Sequence, residues 1–187
     1  MSEREIRDYS TAKGFHPQTL ERWLSWQADD ADALARLASA LKISENHLRD
    51  LMDWLEEISL RDRQSIQAIL TRKSIDDSAT DPRLGRADRL KRIKEQIRRL
   101  RFPRLAETED AIRAKIQDLN LHPEIRVSVP PGLEGGQVRV EFAAASHAEL
   151  KQLARKLTEA ADQASMPEIF DLLAGHTINA ATSRPRS

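Results

Sequence analysis

The hydrophobic period drops from helical to two-residue spacing over one stretch of this chain, and that stretch constrains the fold more than any other feature. Up to about residue 120, apolar side chains recur at three- and four-residue steps, the spacing that lines one side of a helix. Between 124 and 142 the period drops to two. Ile125, Val127 and Val129 alternate with Glu124, Arg126 and Ser128, and Val138, Val140 and Phe142 alternate with Gln137, Arg139 and Glu141. The run Pro130-Pro131-Gly132-Leu133-Glu134-Gly135-Gly136 separates them. Two alternating runs around a Gly-rich connection predict an antiparallel hairpin. One hairpin among helices makes the expected class α+β.

The helical part divides further. A first helix is expected from Pro17, with Leu20, Trp23 and Leu24 on its apolar side. Leu34, Leu37, Ala38 and Leu41 mark a second. After a break at Lys42-Ile43, Ser44 caps a longer one with Leu48, Leu51, Leu55 and Ile58 on one stripe, and a short helix follows with Ile66, Ile69 and Leu70. The polar stretch from Ser74 to Pro82 has the composition of a linker. A helix from Arg86 to Arg101 then carries a narrow seam of Leu90, Ile93, Ile97 and Leu100, and another holds Leu105, Ile112, Ile116 and Leu119. Beyond the hairpin, Ser146-His147-Ala148-Glu149 forms a capping box, opening a helix with Leu150, Leu153 and Leu157. These boundaries give an all-α domain over 1–73, a linker over 74–85, a basic helix over 86–104, an α-β-β-α domain over 105–175 and a disordered tail over 176–187.

Composition removes several classes. With no cysteine there is no disulfide scaffold, thiolate metal site or cysteine nucleophile. No apolar run approaches the ~20 residues of a bilayer crossing. The start, Met1-Ser2-Glu3-Arg4-Glu5, is charged with no apolar stretch after it, so no signal peptide is expected. A cytoplasmic location without membrane contact is expected, associated with the nucleoid if the chain binds DNA.

The formal net charge is zero, but the charge is segregated. Residues 1–82 hold 11 Lys/Arg against 16 Asp/Glu, residues 83–104 hold 10 against 2, and residues 105–187 hold 9 against 12. The central block comprises Arg86, Arg89, Lys91, Arg92, Lys94, Arg98, Arg99, Arg101 and Arg104 around the seam, with Arg83 just before it. Like charges this dense repel within a Debye length of ~8 Å, and a polyanion rewards them through counterion release. Duplex DNA is the expected partner. The other reading is a docking surface for the acidic first domain or for an acidic partner protein.

The segment from Leu37 to Leu51 resembles a helix-turn-helix. Ala38 takes the small position, Ile43 plugs the turn, and Leu48 and Leu51 seat the second helix, while Lys42 stands where glycine is usual. The resemblance makes Asn46 and Arg49 candidate base readers, although Glu45, Asp50 and Asp53 repel phosphates. Two core-packing helices give the same pattern.

From about Arg98 to Leu157, roughly a third of the chain, the order helix, strand, glycine-bearing turn, strand, helix resembles the C-terminal dimerisation domain of ParB partition proteins. The strand Gln137-Val138-Arg139-Val140-Glu141-Phe142 and the junction Ser146-His147-Ala148-Glu149-Leu150 carry the likeness. It implies that two hairpins join across their second strands, and physics points the same way, since a lone hairpin is marginal in water and leaves an edge open. A homodimer through Val138, Val140, Phe142, Leu150, Leu153 and Leu157 is therefore expected, with a monomer whose own helices cover the hairpin as the alternative. The arginine-rich nucleotide-binding motif of that family has no counterpart here.

No catalytic residue, metal or cofactor is expected. His16, His47, His122, His147 and His176 are scattered. Adjacent carboxylates such as Glu56-Glu57 and Asp76-Asp77 diverge by about 100° on a helix. Gly132, Gly135 and Gly136 lie between two strands, outside the strand-to-helix setting of a phosphate loop. The expected function is a non-enzymatic, dimeric DNA-associated protein of ParB-like partition or regulatory type. The alternative is an adaptor whose basic helix docks an acidic partner and whose acidic head recruits another protein.

Overall fold

The computed structural model describes residues 2–176, so the expected tail lies outside the described residues beyond His176. The chain is 70% helix, with ten α-helices and one two-stranded antiparallel sheet among the described residues. It divides into two compact units after Pro103.

The first unit is helical throughout. It contains α1 (Glu3–Lys13), α2 (Pro17–Leu24), α3 (Ala28–Leu41), α4 (Glu45–Asp62), α5 (Ile66–Leu70), α6 (Lys73–Thr80) and α7 (Arg86–Arg101). The helix α4 is its keel, with Leu48, Leu51, Met52, Leu55 and Ile58 fully buried. Trp23 of α2, Leu34 and Ala38 of α3, Ile69 of α5, Ile75 of α6 and Ile93 and Ile97 of α7 complete the same core.

Two elements depart from the sequence expectation. The helix α1 precedes Pro17 and is closed at both ends. Ser2 and Glu5 form a capping box, and Gly14 ends the helix in the left-handed conformation at φ 68°. Only Ile6 and Ser10 are buried along it, too few to show a period. The second departure is the expected linker, most of which is α6. Ile75 and Ser78 are buried, and the helix packs along α7. Its polar composition hides the three inward positions Ile75, Ser78 and Ala79 that face a partner distant in sequence. The basic helix therefore belongs to the first unit and is not a connector.

The second unit holds α8 (Pro103–Asp118), β1 (Arg126–Ser128), β2 (Arg139–Glu141), α9 (His147–Ala161) and α10 (Ser165–Leu173). The hairpin is antiparallel, with Val127 opposite Val140 and Arg126 opposite Glu141, a favourable cross-strand charge pair. The strands are shorter than the alternating runs, because Pro130-Pro131 and the single 3-10 turn over Pro131–Leu133 end the ladder early. Ile112, Leu119, Leu121, Ile125, Leu153, Ala160, Met166 and Ile169 form this unit's own core.

If α6 is a structural part of the first unit, shortening Ile75 must open a cavity. Ile75→Ala should cost about 2–4 kcal/mol in urea denaturation, whereas an exposed linker position would move stability by less than ~0.5 kcal/mol.

Candidate nucleic-acid interface

Three residues, Lys42, Ile43 and Ser44, connect α3 to α4. Lys42 is the C-cap of α3 at φ 54°, ψ 47°, the left-handed conformation that glycine reaches without steric cost. A lysine accepts it here because the turn is held from outside. The Tyr9 hydroxyl lies 2.9 Å from both the Ala38 and Ile43 carbonyl oxygens, and Lys13 Nζ donates to the Lys42 carbonyl at 3.1 Å. Ile43 is buried beneath the turn, as are Ala38, Leu48 and Leu51 beside it. The brace supplied by α1 escaped the sequence reading. Its visible signals were the Ser2…Glu5 box and Gly14, which close a helix whose apolar side is only Ile6 and Tyr9.

The start of α4 is fixed in turn. Glu45 accepts from Thr19 Oγ1 at 2.6 Å and from the His16 backbone N–H at 2.9 Å. These hydrogen bonds, Thr19 first, hold its carboxyl below the ordinary value of 4.5. Asn46 and Arg49 follow on the outer side and are exposed. Arg49 lines a polar cleft of about 390 Å³ with His16, Gln18, Thr19 and Arg22. Beyond this first stretch the outer side of α4 is acidic, and every acid is engaged. Asp50 pairs with Lys94 at 2.7 Å, Asp53 with Arg22 at 2.7 Å, Glu56 with Arg22 at 2.6 Å and Glu57 with Arg101 at 2.7 Å. The adjacent pair Glu56-Glu57 thus splits between α2 and α7. Arg22, held chiefly by its hydrogen bonds to Glu56, has its guanidinium pKa raised; it was not singled out from the sequence.

The basic helix is laid against this acidic side. Besides Lys94 and Arg101, Arg92 approaches Asp81 at 3.7 Å, and Arg98 pairs with Glu95 at 2.8 Å. Arg89 donates to the Leu84 and Ala79 carbonyls at 3.0 and 3.3 Å. Lys94 also stands 5.1 Å over the Trp54 ring, a cation–π contact. Arg61 donates to the Leu100 and Arg101 carbonyls at 2.7 and 2.6 Å, closing the C-terminus of α7. Arg99 is half-buried. Arg86 and Lys91 remain exposed on α7 without an ion pair among the described residues, as does Arg104, which opens the second unit. The nine cations therefore do not form one free surface. Four of them, Arg89, Arg92, Lys94 and Arg101, join α7 to its neighbours, and the first unit as a whole holds 20 Lys/Arg against 18 Asp/Glu.

In the second unit the six residues expected at a dimer seam separate into two groups. Leu153 is buried, and Val138 and Leu157 pack against the same core. Val140, Phe142 and Leu150 stand out at 36%, 37% and 45% exposure. Val138, Leu153 and Leu157 are consequently core residues of one chain, and only the other three face outward. The outer edge of β2 pairs with no strand among the described residues.

Compared with protein-family models, curated proteins and solved structures, the chain matches none. Among the described residues no helix is long and apolar enough to cross a membrane.

The Glu45 anchor has a pH signature. Its folded pKa is depressed, so its contribution is complete above the ordinary value of 4.5 and is lost as pH falls through the lower folded value. Glu45→Gln should lower the melting temperature at pH 7. The difference from wild type should shrink as melts are repeated towards pH 3.

Proposed function

We propose that this chain is a non-enzymatic, dimeric DNA-associated protein of ParB-like partition or regulatory type. The observation that carries the reading is the braced α3–turn–α4 unit, with Asn46 and Arg49 exposed at the start of its second helix. Side chains in that position contact base edges when such a helix enters a major groove. Arginine pairs with guanine and asparagine with adenine. Phosphate contacts fall to the uncommitted cations around them, Lys42, Arg86 and Lys91, because most other cations of α7 are held by acids or carbonyl oxygens of the first unit. About four such contacts, Arg49 included, give a log-affinity slope against log salt of roughly −3 to −4. That is shallower than the full charge of the basic helix suggests.

Dimerisation is assigned to the second unit. Val140, Phe142 and Leu150 form an exposed apolar strip beside the open edge of β2. A second copy pairing along that edge supplies the missing ladder bonds and removes the strip from water.

Two measurements test this. Duplex affinity titrated against salt should lose about 0.9 of slope for each of Arg86→Ala and Lys91→Ala, without altering the ranking of sequences. Asn46→Ala with Arg49→Ala should alter the ranking. Absence of duplex binding at 50 mM salt and micromolar protein ends the reading. For assembly, light scattering should show a dimer at tens of micromolar that Val140→Asp converts to a monomer with unchanged helical content, since Val140 is partly exposed within one chain.

A further inference from the structure

The junction of α4 and α7 contains a groove whose apolar floor DNA recognition leaves unused. Two clefts meet there, sharing His47, Ala87 and Leu90. One, of about 620 Å³, opens between Trp54 and Leu90. The other, of about 600 Å³, opens between Ala87 and the turn residues Leu41 and Ile43. The floor is largely carbon: Leu90 and Trp54 are half-buried, and Ala87 is exposed between them. The rim is cationic, with Lys42 and Arg86 at one end and Lys91, Lys94 and Arg98 along the other. Among the described residues Arg86 and Lys91 have no ion-pair partner, Lys94 and Arg98 are paired with Asp50 and Glu95, and Glu95 is the one acid lining either cleft.

We propose that this groove docks an acidic, amphipathic peptide segment of a partner protein, its apolar side chains on Ala87, Leu90 and Trp54 and its carboxylates on the rim. The proposal goes beyond DNA association: neither cleft is lined by Asn46 or Arg49, and the cations Lys42, Arg86 and Lys91 are shared with the phosphate contacts proposed above. Three features select the occupant. From Arg86 to Arg98 the groove runs about 18 Å at 1.5 Å per residue, the length of a three-turn helix, and helices seat in such grooves through residues spaced three and four apart. Cations at both ends and along one side match several carboxylates, whereas a small apolar acid offers one. The carbon floor disfavours duplex DNA, whose outer surface is phosphate. Charge matching along the rim steers encounter, while the floor supplies the desolvation on which affinity rests.

The readout is Trp54. Its indole N–H makes no hydrogen bond among the described residues, while those of Trp23 and Trp26 are held by the Ala31 carbonyl and by Glu56. The three indole resonances of the full-length protein can be followed by NMR while a panel of 15-residue peptides is titrated. Each peptide carries Leu or Phe at three- and four-residue spacing and Asp or Glu elsewhere. A parallel panel has every acid replaced by Asn or Gln. The expected result is saturable movement of the Trp54 resonance alone, with Kd on the order of 10–100 µM, a weak transient contact. The neutral panel should bind at least about fivefold more weakly, and 0.5 M salt should narrow that gap. Ala87→Glu fills the floor and presents a carboxylate one turn from Lys91, so it should weaken binding about tenfold. Arg86→Ala with Lys91→Ala should reduce the preference for acidic over neutral peptides, and it carries the test if Ala87→Glu does not fold. The proposal is overturned if no acidic peptide moves Trp54 at millimolar concentration, if the neutral panel binds equally well, or if Ala87→Glu folds and binds unchanged. It is also overturned if oligothymidylate moves Trp54 more tightly than every peptide, which would make the groove a stacking platform for single-stranded nucleic acid.

Discussion

Five side chains of α4, Leu48, Leu51, Met52, Leu55 and Ile58, are withdrawn completely from water, and the acids on the opposite side of the same helix cannot follow them. Burying each apolar side chain contributes about 1.5–3 kcal/mol, so the orientation of α4 is not negotiable. Everything else in the first unit answers that constraint. The helices α2 and α7 flank α4 and bring Arg22, Lys94 and Arg101 to its acids, while α3 and α5 cover its apolar side. Individually, part-exposed ion pairs contribute little. Their importance here lies in position: they decide which of the cations on α7 face the interior of the unit and which, like Arg86 and Lys91, face outward.

The long helices were legible in the sequence because their stripes are regular. The hairpin was legible because its period is two. What escaped were elements whose folding depends on a neighbour far away in the chain. The helix α6 has the composition of a linker and too few apolar residues to hold a short helix alone in water; Ile75 folds it by meeting the core. The helix α1 shows caps without a stripe, and its Tyr9 acts on a turn some thirty residues later, at sequence separations of 29 and 34. The candidate site divides the same way. The turn pattern through Ala38, Ile43, Leu48 and Leu51 could be read directly, as could the exposure of Asn46 and Arg49. The density of charge on α7 was also plain, but its partners were not, since Asp50 and Lys94 are 44 residues apart. Counting charges along a chain says nothing about which of them meet.

The second unit faces a different difficulty. It has two short strands and three helices with which to enclose a core of eight buried residues, and it leaves Val140, Phe142 and Leu150 partly outside. Small domains bury a lower fraction of their surface than large ones, so the strip on β2 and α9 is surface that the unit alone cannot cover. Leu153 and Leu157 share a side of α9 with Leu150 but lie further along the helix, where α9 packs against α10 and they join the core.

The pairing of α4 with α2 and α7 also restricts how a chain of this kind can drift in sequence. Replacing Lys94 by an acid would set two like charges together at Asp50 and leave Trp54 with only the more distant Arg101, 6.0 Å from its ring centre. Exchanging both residues, Asp50→Lys together with Lys94→Asp, would keep the attraction while turning the outer side of α4 towards positive charge. Arg22 has no such freedom, because it serves Asp53 and Glu56 at once and one reversal cannot satisfy both. Variation along the α4–α7 seam should therefore travel in couples, with Arg22 as the fixed point between them.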